Sequence, residues 1–220
     1  MSTVTALVSA YYAEQFIAKR LHNLIALQPT PEIMITCESK SLEEKAIGSY
    51  GKHWRDINVF STYGIPTIYK AWNIGIRHSK GDYLTSANCD DLFYSNGLNV
   101  MSAYLDAHPE IDLVYGDCDI RKGSYIFPWK RGESDFEHGT NRIGAMPMWR
   151  RSLHDRFGMF DESMIVSGDY DFWMRCYKGG AKFAHIDETV GLYWWRADSL
   201  EHRNKALRKR EDMQIEGVTV

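Results

Sequence analysis

The strongest constraint on this chain is its opening rhythm. Val4 to Ala10 is short, apolar and rich in β-branched residues, the pattern of a strand buried on both faces. Tyr11-Tyr12-Ala13 interrupts it as a loop. From Glu14 to Leu27, apolar residues recur at Phe16, Ile17, Leu21, Leu24 and Ile25, which is helical spacing with one buried face. Pro29 and Pro31 stop that helix, and Ile33 to Cys37 reads as a second strand. Such a β-α-β unit commits a chain to a parallel sheet with a right-handed crossover, and so to an α/β fold. No G-x-G-x-x-G lies between Ser9 and Glu14, which disfavours a dinucleotide-binding domain.

The alternation continues. Ser41-Leu42-Glu43-Glu44 fits a capping box that opens a second helix. Ile57 to Ser61 reads as a third strand, Tyr63-Gly64-Ile65-Pro66 as a turn, and Thr67 to His78 as a helix. On that helix Trp72 reads as core. Next, Gly81-Asp82-Tyr83-Leu84 leads a short strand into Thr85-Ser86-Ala87-Asn88-Cys89-Asp90-Asp91. In open α/β sheets, ligands bind at the carboxyl ends of strands. Oxygen-rich side chains at such a point suit a hard divalent cation, Mg2+ or Mn2+, which would in turn hold a phosphate-bearing ligand. Asn and Asp also cluster in ordinary turns, so these residues alone leave both readings open.

A helix from Gly97 to Ala107 ends at His108-Pro109, and Ile111 to Gly116 reads as a strand. Asp117-Cys118-Asp119 is expected to be the turn of a hairpin toward Ser124–Phe127. Pro128 to Arg142 reads as a long loop of the kind that serves as a lid. Gly168 opens a helix that closes at Gly179-Gly180. Asp169 sits at its N-terminus, where the helix dipole favours a carboxylate, and shares a face with Trp173 while Asp171 points elsewhere. A capping role and a chemical one are both open to it. Phe183–Ile186 and Val190–Trp195 are expected as two strands at the far edge of the sheet. Asn204 to Val220 is expected as a surface helix or a partly disordered tail.

The 220 residues suit one domain. A net charge of −3 argues against a nucleic-acid partner, and the basic run Arg203–Arg210 reads as a solvated helix face. No stretch approaches the ~20 apolar residues that span a bilayer, although peripheral membrane contact stays open. The N-terminus lacks the features of a secretory signal. Cys37, Cys89, Cys118 and Cys176 form no C-x-x-C, so a reducing cytoplasm is expected.

Several segments, in order, carry a resemblance. They are Tyr69-Lys70-Ala71-Trp72-Asn73-Ile74-Gly75-Ile76, Lys80-Gly81-Asp82-Tyr83-Leu84-Thr85, Asn88-Cys89-Asp90-Asp91, Phe157-Gly158-Met159-Phe160-Asp161-Glu162 and Gly168-Asp169-Tyr170-Asp171-Phe172-Trp173. Together, from Val4 to about Arg196, they resemble a family 2 glycosyltransferase of the GT-A fold. The resemblance implies a mixed, mainly parallel sheet flanked by helices. It implies a donor half over residues 1–117, an acceptor and catalytic half over 118–200 and a tail over 201–220. It implies a nucleotide-diphospho-sugar donor, a saccharide or glycolipid acceptor, and Mn2+ or Mg2+. Ala10, Tyr11, Glu38, Asn73, Asn88 and Asp90 would then bind the donor. Asp90, Asn88, Asp91 and His202 would hold the metal; His202 follows Arg196 and Ser199 in a polar segment where the family often carries a basic residue or His that reaches the diphosphate or metal. Asp169 would be the catalytic base of an inverting reaction. Trp149, Trp173 and Met148 would shape the acceptor cleft. Three positions depart from the family pattern: Glu38 and Asn88 stand where Asp is commoner, and Gly168 replaces a Glu beside the base. A nucleotidyltransferase would need a glycine-rich, basic loop that Ser9–Ala13 lacks. A binding domain that kept the fold and lost turnover draws support from Gly168 and Asn88.

Overall fold

The computed structural model describes residues 2–51, 57–64 and 67–217. The expected opening forms as β1 (Val4–Ala10), α1 (Glu14–Ala26) and β2 (Glu32–Glu38), with β1 and β2 parallel in the register Ala6↔Ile33. Then follow α2 (Leu42–Gly51), β3 (Ile57–Thr62), α3 (Ile68–His78), β4 (Tyr83–Ser86), the two-residue β5 (Leu92–Phe93) and α4 (Gly97–Ala107). The second part holds β6 (Leu113–Lys122), β7 (Tyr125–Trp129), β8 (Met148–Arg150), α5 (Ser152–Phe157), α6 (Gly168–Lys178), β9 (Phe183–Trp194), α7 (Leu200–Arg203) and α8 (Lys205–Glu216). Among the described residues no helix is long and apolar enough to cross a membrane.

The strands form one mixed sheet in the order β3-β2-β1-β4-β8-β6-β9-β5, with β7 also on β6. β3 through β4 are parallel, and β8 joins them antiparallel to both β4 and β6. Strand alternation splits the core into two layers. Ala6, Val8, Ile33 and Ile35 face α1 and α4, where Ile17, Leu21, Leu24, Leu98 and Met101 lie buried. Leu7, Met34 and Leu84 face α3 and α6, where Trp72, Ile76, Phe172 and Trp173 lie buried.

Local sequence explains the element starts. Thr67 Oγ1 accepts the Lys70 N–H and caps α3. Ser41 Oγ accepts the Glu44 N–H, but Glu44 returns to the N–H of Lys40 rather than Ser41, so the box closes one residue early. Of the expected turn at Tyr63–Pro66, Ile65 and Pro66 lie outside the described residues.

Three expectations change. Asp117-Cys118-Asp119 is not a turn: β6 runs through it, and the chain reverses at Gly123, whose φ of 61° needs glycine. Phe183–Trp194 is one strand rather than two, parallel to β6 across a register shift at Asp117, and it is flanked by β5 rather than lying at the edge. The 128–142 loop is not a free lid, because Arg131 is buried and donates to the carbonyls of Ile143 and Ala145. Of the two forms expected for the tail, the surface helix is the one found, as α8, and it is tied to Ser167 at the start of α6 through Glu211 and Asp212.

Candidate functional site

The chain leaves β4 with the Ala87 N–H on the Leu7 carbonyl, 2.9 Å away, so the Asn88–Asp91 loop opens at the carboxyl end of β1. At the same end Tyr11 pairs with Thr62 at 2.8 Å, and Glu38 lies opposite Thr62 in the β2–β3 register. Burial pushes the Tyr11 hydroxyl up to about 12, so it is neutral and free to donate. Ala10 is buried, and its backbone, not its methyl group, borders this end of the sheet. Tyr11 and Glu38 thus lie at the same end of the parallel strands as the Asn88–Asp91 loop.

Inside the loop the three oxygen-bearing side chains differ. Asp91 is 1% exposed; its Oδ1 accepts the Trp194 N–H at 3.0 Å and its Oδ2 faces the Asn88 amide at 3.5 Å. Burial, and next the charge on Asp90, push its carboxyl up to about 7. The Oδ1 of Asn88 is buried without a partner. Asp90 is half-buried and accepts from Arg196 at 2.9 and 3.2 Å, while that guanidinium lies over the Phe16 ring. An orphaned amide oxygen beside two crowded carboxylates fits a hard divalent cation such as Mn2+ or Mg2+. His202 does not join this group. Its Nδ1 pairs with Ser199 Oγ at 2.7 Å and its ring packs on Trp195, so Arg196 is the basic residue that reaches Asp90.

Arg20 escaped the sequence reading. It is fully buried beneath the loop and donates to the Asp91 carbonyl at 3.0 Å and to Asn23. Burial lowers it to about 10, so it stays charged and favours ionised Asp91. The available signal was its position: residue 20 falls inside the apolar stripe of Phe16, Ile17, Leu21 and Leu24.

A second grouping includes Asp117, from the segment expected to be a turn. Asp117, His185 and Asp187 offer ligand atoms within 4.8 Å of one another. Asp117 already accepts from Lys130 Nζ (2.7 Å), the Arg131 N–H (2.9 Å) and His185 Nε2 (2.8 Å). Burial raises its carboxyl, but these bonds outweigh burial and hold it below the usual range. Asp187 is solvent-exposed, so a cation here would have to displace Lys130.

Asp169 stands at the first turn of α6. Its Oδ1 accepts the Tyr170 N–H at 2.9 Å and lies 3.3 Å from the Tyr69 hydroxyl. Burial, and to a lesser degree Glu201 of α7, raise its carboxyl to about 6. Glu201 also raises Tyr193, which feels Asp90 and Asp91 as well, so α7 lies within electrostatic reach of both acidic centres. Asp171 points away and pairs with Arg175.

Four expected contacts are corrected. Asn73 is fully buried, and its amide is saturated by the Phe160 carbonyl, the Phe160 N–H and Glu162. It therefore anchors the segment before α6, and its burial leaves no face open to a nucleotide. Trp149, Trp173 and Met148 are no more than 1% exposed, so none offers a face to a sugar. Trp149 and Trp173 pack edge-to-face at 5.3 Å, and Trp149 Nε1 donates to His154 Nε2. Aromatic stripes at helical spacing were core. The tail contributes instead: Glu211 of α8 is buried and accepts the N–H groups of Ile165, Val166 and Ser167 at 2.8–2.9 Å.

The family described as glycosyl transferase family 2 matches residues 5–161. An uncharacterised protein, y4gI, of Sinorhizobium fredii is 29% identical over 137 residues, covering 58% of this chain and 14% of the relative. A PGL/p-HBAD biosynthesis glycosyltransferase of Mycobacterium bovis is 29% identical over 126 residues, covering 54% of this chain and 48% of the relative. The chain thus spans about half or less of the length of these curated relatives. Among solved structures, S. aureus TarS in complex with UDP superposes with a TM-score of 0.75 at 15% identity, over 97% of this chain and 64% of that one. A Pyrobaculum calidifontis mannosyltransferase in complex with GDP-Man and Mn2+ superposes with a TM-score of 0.74 at 16% identity, over 97% and 63%. These likenesses carry the GT-A fold.

Proposed function

Because the chain belongs to glycosyl transferase family 2 and is a glycosyltransferase, we propose that it moves a sugar, with inversion, from a nucleotide-diphosphate donor to a hydroxyl of a saccharide or lipid-linked acceptor. The observation that carries this reading is the Asn88–Asp91 loop. It lies at the carboxyl ends of the parallel strands and pairs an orphaned amide oxygen with two carboxylates, one raised to about 7. That TarS was solved with UDP, and the mannosyltransferase with GDP-Man and Mn2+, supports a donor of this class.

In this reading Tyr11 and Glu38 meet the nucleotide base. Asn88 Oδ1 and the carboxylates of Asp90 and Asp91 would hold Mn2+ or Mg2+, whose positive charge would favour departure of the diphosphate. Arg196 lets go of Asp90 and donates to phosphate oxygens, a charge-assisted contact. Asp169 takes the proton of the acceptor hydroxyl while that oxygen bonds to the anomeric carbon. The bond from the anomeric carbon to the diphosphate oxygen breaks, and its electron pair leaves with the nucleoside diphosphate. One displacement of this kind inverts the centre. A carboxyl near 6 is a stronger base than an ordinary carboxylate and is still ionised at neutral pH. Free, buried cysteines suit a reducing cytoplasm.

A thermal-shift panel with UDP, GDP, CDP and TDP, each with and without Mn2+, tests the donor site. A metal-dependent rise with one nucleotide, lost in Asp90→Asn, is the expected result. No rise with any of them would move a non-catalytic binding domain ahead. With the donor identified, Asp169→Asn is expected to cut turnover at least ~100-fold.

A further inference from the structure

Gly168 has no room for a side chain. A Cβ there would lie 2.6–2.9 Å from Cδ2, Cε2 and Cγ of Tyr69. The ring occupying that space is fixed from two sides: Trp72 meets it edge-on at 5.7 Å and Phe160 lies 6.0 Å away. Its hydroxyl is 2.5 Å from the Val166 carbonyl and 3.3 Å from Asp169 Oδ1. The Val166 carbonyl is fixed in turn, because three successive N–H groups around it bind the carboxylate of Glu211.

We propose that Tyr69 is a positioning residue for Asp169: from the space left by the missing side chain at 168, its hydroxyl orients the carboxylate and donates to its ionised form. This rests on the reading of Asp169 as the base. A phenol carries one proton and two lone pairs. That proton rests on the Val166 carbonyl, 2.5 Å away, while Asp169 is protonated. Rotation about the C–O bond turns the proton to Asp169 when that group is ionised. The backbone N–H of Tyr170 is the second donor to Oδ1 and keeps the carboxylate from turning. The charged groups facing the pair are Glu201 from α7, which opposes ionisation of Asp169, and Glu211 from α8, which opposes ionisation of Tyr69. Asp212 of α8 holds the neighbouring Ser167 hydroxyl. Tyr69, the short-range side-chain donor of the set, offsets the acidic surroundings.

The test needs no substrate. In protein labelled with carbon-13 at aspartate carboxyls, Asp169→Asn assigns the Asp169 resonance, which is then titrated in the wild type and in Tyr69→Phe. The phenyl ring keeps the packing and removes only the donor. The midpoint is expected to rise by about half a pH unit or more, as loss of a hydrogen bond to the charged form requires. An unmoved midpoint overturns the proposal, because a purely structural Tyr69 would leave it in place. Gly168→Ala provides the second arm: its Cβ must push the ring aside, and the same upward displacement is expected with the hydroxyl intact. If both variants titrate like the wild type while Asp169→Asn is inactive, only the role of Tyr69 falls. If Asp169→Asn keeps full turnover, the base assignment falls first.

Discussion

At the scale of single residues, the site is built from groups held at an energetic cost. Asp169 is the clearest. Its folded-state carboxyl titrates near 6, above the ordinary 3.8, because burial penalises the charged form. Between those values the folded protein holds a proton that the unfolded chain has released. Stability therefore falls as pH rises through this window, and the full penalty applies above about 6. Asp169→Asn is accordingly expected to raise unfolding stability at pH 7.5 by about 1–3 kcal/mol, read as a higher melting temperature, and to leave it nearly unchanged at pH 4. Differential scanning at the two pH values checks this; a variant less stable at pH 7.5 would contradict it. Asp169 was legible as a candidate from its place at a helix N-terminus. Its burial was not, because the groups that cover it come from α3, α7 and α8.

At the scale of elements, α8 shows how a segment without an evident role becomes part of the site. Its sequence is charged and weakly periodic, which suggested a solvated tail. In the fold, Glu211 turns inward and gathers three N–H groups from the loop that presents α6. Carboxylate-to-amide bonds of this kind are worth more than neutral ones, and their loss leaves buried donors unmet. Glu211→Ala is expected to lower unfolding stability by about 2–4 kcal/mol in urea, and Glu211→Gln by less, because the amide keeps one acceptor oxygen. Equal stability of all three proteins would show that the loop holds itself. Sequence reading missed the contact because Glu211 lies 44–46 residues from its partners, and neither side of the pairing has a local signature. Asn73 failed for the same reason in the other direction. Its family position suggested a ligand contact, whereas Phe160 and Glu162, 87 and 89 residues away, use up its amide.

At the scale of the whole molecule, function depends on two helical layers being seated correctly on one sheet. Gly97 shows how tight that seating is: a Cβ there would lie 2.1 Å from the Val190 carbonyl, where α4 meets β9. Gly97→Ala is expected to lift α4 from the sheet and cost about 2–4 kcal/mol, read as a lower urea midpoint with an unchanged slope. A wild-type midpoint would mean that the layers can slide.

The first half of the fold was legible because its information is local. Each strand carries an apolar run and each helix its own periodicity, cap and stop, and a parallel β-α-β arrangement then follows with little choice. The Asn88–Asp91 loop was legible for the same reason: it directly follows a recognisable strand. The second half was decided by the tertiary structure. The sheet inserts β8 antiparallel between β4 and β6, joins β9 to β6 across a shifted register, and buries Asp117 where the sequence suggested a turn. It also turned the aromatic residues expected at the acceptor into core, because Trp149, Trp173 and Phe160 bury more apolar surface against one another than they could against solvent. Sequence determined which side chains arrive at the carboxyl end of the sheet. Long-range packing decided which of them are paired and which are left with an unmet oxygen, because burial and partners are properties of neighbours that the chain brings together only when it folds.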